Sequence, residues 1–71
     1  MQYLVVIEQG PVTFGAYVPD LPGCMAVGET RQETVDLIKE AMEFHLDAMT
    51  KDGQPVPAPH FTVELVEIEN G

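Results

Sequence analysis

Tyr17-Val18-Pro19-Asp20-Leu21-Pro22-Gly23-Cys24, followed after Met25-Ala26-Val27 by Gly28-Glu29-Thr30, decides how the rest of this chain is arranged. Pro19 and Pro22 fix φ at their own positions and push Val18 and Leu21 out of the helical region. Neither a helix nor a central strand runs through such a stretch, so the chain turns here. Gly23 is able to take the positive φ that closes the turn. Leu21 is apolar inside an otherwise polar connection, which marks it as a plug for the core. Asp20 beside it is the residue through which an exposed loop would contact a partner. Pro19, Leu21, Pro22 and Gly23 therefore read as a structural corner, with Asp20 as a candidate contact.

Working upstream, Tyr3 to Glu8 is rich in β-branched residues, with Tyr3, Val5 and Ile7 on one face and Leu4 and Val6 on the other. A turn at Gln9-Gly10-Pro11 leads to a second strand, in which Val12, Phe14, Ala16 and Val18 alternate with Thr13, Gly15 and Tyr17. Gly15 has no side chain to pack, so a bulge or the close approach of another backbone is expected there. Downstream of the corner, Cys24 to Val27 is long enough for a third strand ending at Gly28.

Thr30 and Glu33 stand at the spacing of a capping box, the hydroxyl accepting from the amide three residues on and the carboxylate reaching back. A helix of about five turns follows and stops before Gly53. Its apolar stripe is Val35, Ile38, Met42, His45 and Met49, widened by Ala41 and Leu46 on one flank and by Leu37, Phe44 and Ala48 on the other. On the opposite side Asp36, Glu40, Glu43 and Asp47 form an acidic face. Pro55, Pro57 and Pro59 then hold a stiff extended strap anchored by Val56. Phe61, Val63 and Leu65 alternate with Thr62, Glu64 and Val66 in a returning strand. Near Val66-Glu67-Ile68 both faces carry apolar residues, which predicts a bulge or an interface with another copy.

Seventy-one residues make one domain, 1–71, with a thin core. Three basic residues against twelve acidic ones give a formal charge of −9, which repels a phosphate backbone and favours a basic protein partner. The single cysteine, Cys24, fits a reducing cytoplasm rather than a disulfide scaffold. The start of the chain enters a strand pattern without a basic leader, and no apolar run reaches membrane-spanning length. Free sheet edges and the Val66-Ile68 tail predict a homo-oligomer, dimeric or higher.

No catalytic set emerges. The acids cluster on one helix face instead of converging at strand ends, as a hydrolytic metal site requires. His45 falls on the apolar stripe, and His60 at the mouth of the last strand. With Cys24 they match no zinc spacing and no nucleophile arrangement, and no glycine loop is present to cradle phosphate. Neither a metal nor a cofactor is expected, and the chain is not read as an enzyme.

Pro19-Asp20-Leu21-Pro22-Gly23-Cys24, Gly28-Glu29-Thr30, Glu33, Lys39-Glu40-Ala41-Met42-Glu43 and Asp52-Gly53-Gln54-Pro55-Val56-Pro57 together resemble the HicB-type antitoxins over nearly the whole chain. The resemblance implies an α+β fold of order β-β-β-α-β, a degenerate ribonuclease H-like domain without its catalytic carboxylates. It has an antiparallel three-stranded sheet, a returning C-terminal strand and one long helix packed on one face. It also implies a cytoplasmic protein that binds and neutralises a small basic HicA-type ribonuclease toxin by covering its RNA-binding surface. Charge and spacing nominate Asp20, Asp36, Glu40, Glu43 and Asp47 for that contact. Many members continue into a DNA-binding module; a single domain without one, making no direct nucleic-acid contact, is expected here. Thr34-Val35 departs from the family's usual small residue followed by Leu. The alternative is an orphan regulatory or small-ligand-binding domain of the same fold without a toxin partner.

Overall fold

The computed structural model describes residues 1–69; the last two residues of the expected 1–71 domain lie outside the described residues. Three strands, β1 (Val6–Gln9), β2 (Phe14–Tyr17) and β3 (Met25–Gly28), form an antiparallel sheet in chain order, and one helix, α1 (Arg31–Lys51), follows. The architecture is α+β, with α1 against one face of the sheet. Because side chains alternate along a strand, the register Ile7↔Ala16↔Ala26 brings those three residues to the helix-facing side. There they join Val18, Leu21, Cys24 and Ile38 in the core, with Tyr3, Val5, Ala41, Met42 and Leu46 packed around it.

The corner between β2 and β3 is two consecutive β-turns sharing Leu21. The Leu21 amide donates to the Val18 carbonyl at 3.0 Å and the Cys24 amide to the Leu21 carbonyl at 3.0 Å. Pro22 and Gly23 occupy the central positions of the second turn, and Gly23 has φ 86°, the pairing a type II turn demands. Leu21 is the buried plug read from the sequence, and Val18 and Cys24 flank it in the core.

Thr30 caps α1, its hydroxyl oxygen accepting the Glu33 amide at 3.0 Å. Among the described residues the Glu33 carboxylate makes no return bond, so half of the expected box forms. The helix ends in a Schellman motif: Gly53 has φ 72°, its amide donates to Thr50 at 3.1 Å, and the Gln54 amide donates to Met49 at 2.9 Å.

Several expectations are corrected. Gly15 makes no bulge, since Glu8↔Gly15↔Val27 is an unbroken register, and no atom stands within 4 Å of where its Cβ would be. The close approach occurs at Gly28, where a Cβ would meet Thr34 Oγ1 at 2.6 Å and the Thr34 amide nitrogen at 3.0 Å. Thr34 is accordingly fully buried, its hydroxyl donating to the Thr30 carbonyl at 2.8 Å with Phe14 O at 3.4 Å. Val12, expected on the buried face of β2, is 82% exposed because the Gly10–Thr13 turn holds it ahead of the strand. The returning strand expected over Phe61 to Leu65 takes no ladder partner among the described residues. Extended backbone becomes a strand only where another strand receives its hydrogen bonds, and residues 61–69 are all exposed.

Candidate protein interaction surface

Helix α1 divides its circumference three ways. Thr34, Val35, Ile38, Ala41, Met42, His45, Leu46 and Met49 face the sheet, buried or half-buried. Asp36, Glu40, Glu43 and Asp47 run along the opposite side, all exposed. Between these two faces Leu37, Phe44 and Ala48 lie in a row at helical spacing, and Phe44 is 78% exposed. The sequence reading counted this row as a flank of the apolar stripe. A sheet of three four-residue strands is too narrow for so wide an apolar arc, and the helix settles on its other flank.

The acidic row is only partly engaged within the chain. Gln32 Nε2 donates to Asp36 Oδ1 at 3.0 Å, and Lys51 pairs with Asp47 at 3.0 Å, both one helical turn apart on the exposed surface. Exposed pairs of this kind are weak and easily exchanged for a partner's charges. Glu40 and Glu43 have no ion-pair partner among the described residues. The surface therefore offers an acidic strip edged by an exposed aromatic ring.

Asp20 is placed elsewhere. Its side chain is 0% exposed, which removes it from the surface where the sequence reading had set it. Its Oδ2 accepts the backbone amides of His60 at 3.2 Å and Phe61 at 3.5 Å, and its Oδ1 lies against His60 Nδ1. Among the described residues Oδ1 has no other partner, and the contact is a hydrogen bond when Nδ1 carries a proton. The Tyr3 hydroxyl donates to the Pro57 carbonyl nearby. Asp20 and Tyr3 together clamp the root of the C-terminal segment. No local signal revealed this, because the bonds join residues forty positions apart.

Cys24 is buried in the core, and burial pushes its thiol above the ordinary 9.0, leaving a neutral apolar side chain rather than a nucleophile. Among the described residues no group of three or more His, Cys, Asp or Glu side chains is arranged to hold a metal ion. Among the described residues no helix is long and apolar enough to cross a membrane.

Over residues 3–70 the chain matches the family described as HicB_like antitoxin of bacterial toxin-antitoxin system. The chain belongs to this HicB-like family. It is 37% identical over 57 residues to a 14.9 kDa protein from the rep-hol intergenic region of Haemophilus phage HP1, covering 80% of this chain and 43% of the phage protein. The HicB-like chain thus spans less than half of that relative. A UPF0150 protein of Archaeoglobus fulgidus is 30% identical over 74 residues, with full coverage of both. The HicB-like fold is also similar to a chain of the solved HicA3 and HicB3 toxin-antitoxin complex. The TM-score is 0.70 at 30% identity, over 84% of this chain and 70% of that one.

Proposed function

We propose that this chain is an antitoxin that binds a small basic HicA-type ribonuclease toxin and silences it by laying the outer face of α1 over the toxin's RNA-binding surface. The observation that carries the reading is the exposed strip of Asp36, Glu40, Glu43 and Asp47 bordered by Phe44. A protein that grips RNA presents cationic side chains and at least one apolar or aromatic platform. The helix offers the complement of both. Family membership and likeness to a chain of a HicA3 and HicB3 complex support the assignment. The chain acts by occlusion and not by catalysis, makes no direct nucleic-acid contact, and works in the cytoplasm, where the toxin's RNA substrate is.

The test is co-purification with a HicA-type toxin, followed by titration across salt concentrations. Glu40→Gln with Glu43→Gln is expected to weaken binding by about tenfold and to flatten its salt dependence. Phe44→Ala is expected to cost about 2 kcal/mol of binding while leaving the melting temperature of the free protein unchanged. Unaltered affinity in both variants would remove the helix face from the interface. The hollow on the open sheet face, about 410 Å³ and floored by Gly15 between Tyr17, Met25 and Val27, favours the small-ligand alternative. Failure to bind any HicA-type toxin, together with saturable ligand binding there, would replace the antitoxin reading.

A further inference from the structure

Residues 61–69 carry the alternating pattern of a β-strand in their sequence but take no strand partner among the described residues. Their apolar side chains stand in solvent, with Leu65 92% exposed and Val63, Val66 and Ile68 exposed beside it. The molecule is correspondingly long, 53 × 27 × 16 Å, with a radius of gyration of 14.5 Å. A compact chain of this length has a radius of about 11 Å. The root of the segment is nevertheless fixed in place by Asp20 and Tyr3. An arm held at its base, projecting from the body and alternating in polarity is built to pair with something outside its own fold.

Beside the arm lies a matching vacancy. Met1 to Leu4, the extension of edge strand β1, and Pro59 with Phe61 to Val63 form the walls of a groove of about 620 Å³. Among the described residues no backbone hydrogen bond crosses it. Neither wall lies in a ladder of the sheet, so each offers backbone amide and carbonyl groups for pairing, apart from the Phe61 amide that Asp20 holds.

We infer that the occupant is the same arm from a second copy. Two arms exchange about a twofold axis: each lies antiparallel to the other, and the outer half of each enters the groove between Met1–Leu4 and Phe61–Val63 of its partner. The two three-stranded sheets then join through a central pair of arms, and the edge at β1 is closed. The charges are compatible with this register. With Leu65 on the axis, Glu64 stands opposite Val66, Glu67 opposite Val63 and Glu69 opposite Phe61, so no two carboxylates face each other directly. A register displaced by one residue in one direction would set Glu64 against Glu67, while displacement in the other keeps the carboxylates apart. The arrangement is isologous, as a twofold dimer requires, and covers apolar side chains on both faces of the arm.

The experiment uses the chain alone, so that its result is separate from the toxin-binding reading. Sedimentation equilibrium is expected to give a dimer, and Leu65→Pro to give a monomer with unchanged helical circular dichroism, since the arm contributes nothing to the core of one copy. In a second measurement Leu65→Cys is expected to form a covalent dimer on mild oxidation at least tenfold faster than Val12→Cys, an exposed site remote from the axis. A monomer at high concentration, a dimer indifferent to Leu65→Pro, or equal cross-linking at positions 65 and 12 would each overturn the proposal. Protection of the arm's amides from exchange only when toxin is added would assign the groove to the toxin instead.

Discussion

At Gly28 a single hydrogen atom in place of a side chain sets how closely α1 approaches β3. A Cβ there would lie 2.6 Å from Thr34 Oγ1, 3.0 Å from the Thr34 amide nitrogen and 3.2 Å from its Cα. Gly28→Ala is expected to destabilise the fold by about 3 kcal/mol, measured by urea denaturation. Adding Thr34→Ala should recover only part of this, because the backbone atoms remain in the way. Asp20 acts at the same scale by a different cause: its buried carboxylate meets two amides and an imidazole. Asp20→Ala is expected to cost about 2 kcal/mol and to speed hydrogen exchange at His60 and Phe61 more than elsewhere. Gly28's role was hidden in the sequence because a close approach depends on which elements meet. The choice of Gly15 for that role failed because Gly15 faces the uncovered side of the sheet.

The elements themselves were legible where their causes are local. The Thr30 cap, the stop at Gly53 and the two-turn corner follow from φ preferences and hydrogen bonds between residues a few positions apart. Gly53→Ala is expected to lower stability by about 1 kcal/mol, read as a lower melting temperature, because an alanine at φ 72° is strained and the Schellman bonds depend on that geometry. Helical periodicity gave the stripe but not its limits. Leu37 and Phe44 share the hydrophobicity of Ile38 and Met42, and only the width of the sheet separates the covered pair from the exposed one. The acidic row needed no such information, since four carboxylates opposite an apolar stripe face water whichever way the helix rolls by a few tens of degrees.

For the whole molecule, the core is small: Ala16, Val18, Leu21, Cys24 and Ile38 are its fully buried apolar members. A domain of this size buries a limited share of its surface, and pairing with another copy is one of the available ways to add stability. If the arms exchange as inferred, the melting temperature of the free protein should rise with protein concentration, and Leu65→Pro should abolish that dependence. Calorimetry over a hundredfold concentration range checks this. The charge of −9 acts at this scale too, setting long-range attraction to a basic partner while requiring that carboxylates on paired arms avoid one another.

What the sequence by itself determined is the order of the elements from β1 to α1, the corner that reverses the chain, the cap and stop of α1 and its acidic side. Each rests on steric limits at one residue or on spacings within a single element, and such causes act before any tertiary contact exists. Only the tertiary structure decided that Asp20 is an internal clamp, that Phe44 stands in solvent, that Gly28 is the point of closest approach and that residues 61–69 lack a strand partner among the described residues. These depend on distances between residues far apart in sequence. They are set when a narrow sheet and a long helix must share too little area to cover every apolar side chain they carry.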